Sequence, residues 1–422
     1  MNPLYRFLTI AALFGYIIFF QACSTPATIP TTEAFSPGEL FKADIEYLAS
    51  DELEGRETGT QGELLAAAYI SDRFEAIGLD PGGDMGTFYQ KFEGNQLPHP
   101  HARPEEGETI EGVNVIGFIN HEAEYTVVIG AHYDHLGWGG HGSLHRGDSA
   151  IHPGADDNAS GVAMILYLAD RLKNAHTATN YIFIAFSGEE KGLWGSGYWT
   201  KNPTVVSSMD EISYMLNFDM VGRLDEDRNL MINGTGTSPI WERRLERANR
   251  ANLNLAFSQS GIGGSDHTSF YLKEIPAIHF FTGLHDDYHR PADTPDKINY
   301  NGMLEIGSMA FNLIGELQGD GKLIFSETVQ EDSRSAPRYT VSLGVLPDYM
   351  YSGGGLKLEG VTTDRPAEKA GLQRGDIITR LGDFKIETIY DYMEALSDFK
   401  SGDKAEIEYK RDGENNTATV QF

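Results

Sequence analysis

The chain has 422 residues and a single cysteine, Cys23. No intrachain disulfide can form, and a cysteine-ligated zinc or an iron–sulfur cluster is excluded. Basic residues are scarce as well: 33 Lys and Arg stand against 62 Asp and Glu, a formal net charge of −29. Such a surface repels phosphate backbones, so no nucleic-acid partner is expected. The apolar fraction is not low. At 40% hydrophobic and 11% aromatic residues it is that of a globular protein, which excludes global disorder. Glycine is plentiful, with 47 residues, and points to many tight turns and loops near strand ends. The length suits two or three domains.

The N-terminus carries a targeting pattern. Arg6 precedes an apolar run from Leu8 to Phe20, broken only by Thr9 and Gly15. The run is short for a membrane span and matches a signal-peptide core. Cys23 follows in Phe20-Gln21-Ala22-Cys23-Ser24. A small residue and then cysteine at this point resembles a bacterial lipoprotein signal, although Phe20 and Gln21 depart from the usual pattern. The resemblance implies lipidation of Cys23, with residues 1–22 removed and 23–37, rich in Ser, Thr and Pro, as a flexible tether. The alternatives are a plain cleaved signal and a retained anchor. All three place the protein outside the cytoplasm, and the first ties it to a membrane of a bacterial envelope.

Periodicity then predicts the organisation. Leu40 to Gly78 reads as helical, with Leu64, Ala68 and Phe74 on one face and Gly78 as a stop. Strands are expected at Tyr125–Ala131, Tyr181–Phe186, Tyr214–Phe218 and Pro276–Phe281. Helices are expected at Ser160–Lys173, Glu242–Asn252 and Asn301–Leu317. Alternation of this kind implies an α/β three-layer sandwich around a mostly parallel sheet. The pattern fades between Asp320 and Arg338, read as a linker. Residues 339–422 form a second domain of short strands, with a helix near Tyr390–Phe399.

The strand ends hold the chemistry. They read Ala131-His132-Tyr133-Asp134-His135, then Ser187-Gly188-Glu189-Glu190, Asn217-Phe218-Asp219-Met220 and Asp287-Tyr288-His289-Arg290-Pro291. Gly154-Ala155-Asp156-Asp157-Asn158-Ala159-Ser160-Gly161 precedes the first long helix of this region. In an α/β sheet such loops meet at one edge. Imidazoles and carboxylates without thiolates suit zinc or a related divalent ion. The set is too large for one tetrahedral zinc and suits two ions sharing a carboxylate.

Together with Ala49-Ser50-Asp51-Glu52-Leu53-Glu54-Gly55-Arg56 and Gly59-Thr60-Gln61-Gly62, these motifs resemble the di-zinc aminopeptidases of metallopeptidase family twenty-eight. The resemblance covers about Phe41 to Leu317, within a peptidase domain expected at 38–319. It implies two zinc ions per chain, with the identity of the native metal left open. His132 and Asp219 would hold one, Glu190 and His289 the other, and Asp157 would bridge. Glu189 would be the general base. Asp134 would orient His132, and Tyr288 would steady the oxyanion of the tetrahedral intermediate. A cis peptide is implied at Asp157–Asn158. Asp266 and His267, in Gly263-Gly264-Ser265-Asp266-His267, are expected near the site, and Asp156 as a hydrogen-bonding neighbour. The insert Leu136–Pro153, with His141, His145 and His152, reads as a loop at the substrate entrance, a third metal being the alternative.

Residues 339–422 resemble a PDZ domain of the permuted bacterial kind, on the segment Arg365-Pro366-Ala367-Glu368-Lys369-Ala370-Gly371-Leu372-Gln373-Arg374-Gly375-Asp376-Ile377-Ile378. That implies a loop at Gly353, Gly354, Gly355 and Leu356 cradling a peptide C-terminus. The expected activity is removal of N-terminal residues from peptides with a free amine. The rivals are a zinc acyltransferase that cyclises N-terminal glutamine and an inactive module acting through its PDZ domain.

Overall fold

A computed structural model describes residues 36–96, 107–140, 142–145, 147–328, 341–347, 351, 354–361, 365–387, 391–392, 395–396, 398–400, 402–411 and 413–422. Cys23, the signal segment, nearly all of the tether, His141 and Gly353 lie outside them. Among the described residues, no helix is long and apolar enough to cross a membrane.

The chain opens with two helices, α1 (Pro37–Leu48) and α2 (Gln61–Ile77), separated by a single tight turn at Asp51–Leu53. The helical reading of Leu40–Gly78 is thus divided. Its face also needs correction: Leu64 is 47% exposed, and the buried stripe of α2 is Ala66, Ile70, Phe74 and Ile77. Those positions follow the helical repeat, whereas Leu64 and Phe74 do not share a side. Thr60 caps α2 by accepting from the Glu63 amide, and Gly78, at φ 88°, stops it.

Nine strands then build one sheet. They are β1 (Asp80–Pro81), β2 (Tyr89–Gln96), β3 (Glu108–Ile119), β4 (Thr126–His132), β5 (Asn180–Phe186), β6 (Ile212–Phe218), β7 (Asn229–Asn233), β8 (Asn254–Ser258) and β9 (Ala277–Phe281). Their order is β1-β3-β5-β4-β6-β9-β7-β8, with β2 on β3. The four central strands, β5-β4-β6-β9, run parallel. β3 pairs antiparallel with β5, and β1 and β2 in turn pair antiparallel with β3. The intervening helices are α3 (Gly161–Leu172), α4 (Trp194–Trp199), α5 (Trp241–Ala248), α6 (His267–Tyr271) and α7 (Tyr300–Glu316).

Strands β4, β5 and β6 are buried along their whole length, as a parallel sheet covered on both faces requires. Alternate residues serve opposite layers. Val127, Ile129, Phe183 and Leu216 join the core that includes residues of α1, α2, α3 and α7. Val128, Ile182, Ile184 and Met215 pack with Trp199 and Phe270 on the other side. The chain leaves β4 for β5 on one side and then β6 on the other. This reversal brings the carboxyl ends of three parallel strands together around His132.

One buried cation ties the region down. Arg56 is fully buried and donates to the carbonyls of Leu48, Tyr133 (2.8 Å), Pro153 (2.6 Å) and Gly154 (3.1 Å). It therefore joins α1, the end of β4 and the loop before Asp157. Residues 321–328, read from the sequence as the start of a linker, lie on the first domain. Gly321 O accepts from Ser213 Oγ at 2.7 Å, Ser326 N donates to Thr237 O at 2.9 Å, and Leu323 is buried.

The C-terminal region forms a separate antiparallel sheet from β10 (Val345–Pro347), β11 (Leu356–Val361), β12 (Ile377–Leu381), β13 (Phe384–Lys385), β14 (Lys404–Arg411) and β15 (Glu414–Gln421), with a short helix α8 (Pro366–Lys369). Its core includes Leu343, Leu358, Ile378, Ile407 and Val420. Gly355 N–H donates to Glu387 O at 3.0 Å, and the Leu356 side chain is buried. The Gly355 amide is thus engaged within the domain. The expected helix at Tyr390–Phe399 falls largely outside the described residues. Of those described there, Tyr392, Ala395 and Leu396 are buried.

Replacing Arg56 with Met leaves four buried carbonyls without their donor and removes a buried charge from among carboxylates. Arg56→Met should cost about 3–5 kcal/mol in urea unfolding. A loss below about 1 kcal/mol, the size of an exposed ion pair, would show that the guanidinium is not what holds these segments.

Candidate active site

His132 closes β4, and its ring is turned by its own neighbourhood. Nδ1 donates to the Asp134 backbone carbonyl at 3.1 Å, which leaves Nε2 facing Asp219 Oδ1 at 3.3 Å and Asp157 Oδ1 at 3.4 Å. A second imidazole is fixed the same way. His289 Nδ1 donates to Gly142 O at 2.7 Å, and Nε2 faces Asp157 Oδ2 at 3.2 Å and Glu190 Oε2 at 3.3 Å. Asp157 thus turns one oxygen to each histidine. The five residues read from the sequence as metal ligands converge, although they come from five separate segments.

Two donor groups of metal-binding size result, His132–Asp157–Asp219 and His135–Asp157–Glu190. His135 is the residue that the sequence reading left without a role. Its Nδ1 lies 2.8 Å from Glu190 Oε1, and it is buried. The signal was present, since His135 ends the first strand-end motif, but only the fold turns it toward Glu190.

The loop bearing Asp157 is held from several directions. Ala155–Ser160 forms one wide helical turn, and the Asp157–Asn158 peptide is cis. Asp293 Oδ2 accepts from the amides of Asp156 (2.8 Å) and Asp157 (3.0 Å). Asn158 Nδ2 donates to His132 O and Phe218 O, while its Oδ1 accepts from the amides of Gly161 and Met220. Asp156 accepts from Gly222 N at 2.6 Å and pairs with His285 at 3.2 Å, a hydrogen-bonding neighbour.

Burial makes the electrostatics severe. Burial alone would raise Asp157, but the imidazoles of His135, His132 and His289 outweigh it and hold it well below the usual carboxylate range. Glu190 is opposed by burial too, yet His289 and His135 bring it to about 2. Burial would lower His132 and His289, yet their carboxylates raise both well above the ordinary imidazole value. Glu189 goes the other way. Burial, with Glu190, Asp219 and Asp266 nearby, raises it well above the usual range. Two adjacent glutamates are therefore driven apart, one held charged and one toward its protonated form, the arrangement of a ligand beside an acid–base group.

The remaining expected residues are accounted for. Asp134 orients His132 through its backbone oxygen. Its carboxylate, 3.8 Å from His132 Nδ1, accepts from Glu189 N at 3.1 Å and Thr58 Oγ1 at 3.1 Å, so it fixes the backbone of Glu189. The Tyr288 ring stacks on His289 with centroids 3.8 Å apart. Asp266 is buried, and burial pushes it up to about 7. His267 is buried against His279, with ring centroids 4.9 Å apart. In the insert, Ser143 Oγ and His152 Nε2 lie 2.7 Å apart, and the ring of His145 lies 6.3 Å from that of His152. Among the described residues, neither His145 nor His152 belongs to a metal-sized group, and His141 lies outside those residues.

The family and the sequence relatives that this chain matches support a hydrolase of the metallo-aminopeptidase class. Residues 114–314 match the model of peptidase family M28, and residues 335–422 match that of the PDZ domain. The chain is 26% identical over 291 residues to the alkaline phosphatase isozyme conversion protein of Escherichia coli strain K12, covering 61% of this chain and 78% of that protein. Among solved structures, a zinc aminopeptidase from Bacillus subtilis matches with a TM-score of 0.54 at 18% identity, over 68% of this chain and 98% of that one. The glutaminyl cyclase of Bacteroides thetaiotaomicron matches equally, with a TM-score of 0.54 at 18% identity, over 68% of this chain and 99% of its own. The likeness to the two solved structures is one of fold.

The titrations give a signed prediction for protein stripped of metal. Stability from the raised His132 and His289 is complete below the unfolded value of about 6.5 and is lost as pH rises through their folded values. Stability from the lowered Asp157 and Glu190 is present above about 4 and lost as pH falls through theirs. Metal binding needs neutral imidazole and so strengthens with pH. The gap in Tm between zinc-loaded and stripped protein should therefore widen from pH 6 to pH 8.5. A gap that narrows would contradict the assignment.

Proposed function

We propose that this chain is a zinc-dependent aminopeptidase that holds two ions around Asp157 and uses Glu189 as its general base. The observation that carries the reading is the division of Asp157, with Oδ1 toward His132 and Oδ2 toward His289. The donor set fits such ions. It is rich in buried carboxylates, both ligand imidazoles turn Nε2 inward, and buried Glu190 Oε2 accepts no hydrogen bond. His132 and Asp219 would hold one ion, and His289 and Glu190 the other.

Bound there, the ions supply Lewis acidity toward a peptide carbonyl and toward water. The protein does the rest. Glu189, its backbone fixed by Asp134, takes the proton of the attacking water at its carboxylate and returns it to the nitrogen of the departing amine. Its raised proton affinity suits it to hold that proton between the two transfers. The carboxylate-rich surroundings favour a substrate with a free, positively charged N-terminus. A cyclase uses one zinc, so the complete second donor group favours hydrolysis. An inactive module would have no need of a buried free carboxylate beside Glu190.

The same reading places the chain outside the cytoplasm, tethered by a lipid on Cys23. What supports it is the apolar run ahead of the lone cysteine. The PDZ domain would receive peptide C-termini from the substrate or from a partner.

Purified protein should carry near two zinc ions and cleave aminoacyl amides but not their N-acetylated forms. From a peptide with N-terminal glutamine it should release free glutamine; loss of ammonia from an otherwise intact peptide would instead establish the cyclase. Glu189→Gln should lower kcat about 10²–10⁴-fold with the zinc content unchanged. Full turnover in that variant would remove Glu189 from the mechanism. Chelation should abolish turnover, and added zinc should restore it.

A further inference from the structure

Glu190 has two oxygens in different circumstances. Oε1 lies 2.8 Å from His135 Nδ1, a hydrogen-bond distance, and Oε2 accepts no hydrogen bond and faces His289 Nε2 at 3.3 Å. His135 Nδ1 is 3.9 Å from Asp157 Oδ2, farther than His289 Nε2 at 3.2 Å. Of the two imidazoles, His289 is thus the one aimed at the oxygen pair, and His135 is aimed at the back of the Glu190 carboxylate.

The ring of His135 is itself held in place. Its backbone amide donates to Arg56 O at 3.3 Å. The ring approaches Gly154 closely, where an added Cβ would come within 2.6 Å of His135 Cδ2 and 2.1 Å of Asp157 O. Gly154 also has φ +57°, a conformation that favours glycine. The imidazole thus lies between the loop that carries Asp157 and the loop that carries Glu190.

We infer that His135 is a positioning residue for the second ion. Its Nδ1–H holds Glu190 Oε1, so that Oε2 alone is presented beside Asp157 Oδ2 and His289 Nε2. This rests on the two-ion reading above. It assigns His135 a donor's role and no place among the ligands. Partners of this kind orient metal-binding side chains, and their loss weakens a site without removing a ligand.

The two roles separate in the variants. Asn at this position keeps an N–H close to Nδ1 and discards the rest of the ring, whereas Ala discards both. Zinc content would be measured by mass spectrometry for wild type, His135→Asn and His135→Ala after equilibration with graded chelator. Wild type should hold two ions. His135→Ala should keep one and bind the other about 10–100-fold more weakly, and His135→Asn should stay close to wild type. In a Glu190→Gln background the effect of His135→Ala should disappear, which controls for general damage to the fold. If Asn weakens the site as much as Ala, the ring itself is needed and the inference falls. Two tightly held ions in His135→Ala would also overturn it. A wild type that binds no zinc overturns the two-ion reading itself, an outcome distinct from both.

Discussion

Everything at this sheet edge follows from carboxylates crowded out of water. Asp134, Asp156, Asp157, Glu189, Asp219, Asp266 and Asp293 are all buried. Ionised groups without counter-charges do not persist in such surroundings. The structure meets the requirement with inward-turned imidazoles, with backbone amides, and with Arg56. Two bound cations would complete the balance, which is why the same geometry that strains the charges equips the site to bind metal.

The supporting shell is as specific as the ligands. Arg56 spends its guanidinium on carbonyl oxygens rather than on one carboxylate, so it joins three segments while lending its charge to the region. Asp293 holds the amides of Asp156 and Asp157 and also accepts from Arg223 at 3.0 Å. Asn158 uses four hydrogen bonds to lock the loop against the ends of β4 and β6. None of these residues needs to touch a substrate. Each removes a freedom that would otherwise let the donors drift apart.

Much of this was legible beforehand. Buried strands advertise themselves as apolar runs, and β4, β5, β6 and β9 lie within two residues of where periodicity puts them. The α2 face departs from expectation at Leu64, which is apolar yet exposed, because helical spacing and not hydrophobic identity decides which side turns inward. The hairpin of β2 and β3 carried no strong pattern, since alternate residues of β2 face solvent. Asp134 shows where spacing stops being informative. Its proximity to His132 was plain, but whether its carbonyl or its carboxylate does the orienting depends on the path of the backbone after β4.

The sequence by itself determined the kinds of donor, their order along the chain, and their position at the ends of apolar strands. Those features are local, and local spacing reports them. It also put the lone cysteine, Cys23, in the N-terminal targeting pattern and not among the donor motifs. The tertiary structure alone decided which oxygen faces which imidazole. Asp157 meets His132 and His289 from segments 25 and 132 residues away, and Glu190 meets His135 across 55. Separations of that size are closed only by the parallel order of β5, β4, β6 and β9. The physical reason is that a ligand set is a statement about angles and ångströms between strand ends, and those are fixed by packing in the sheet rather than by any residue's neighbours in the chain.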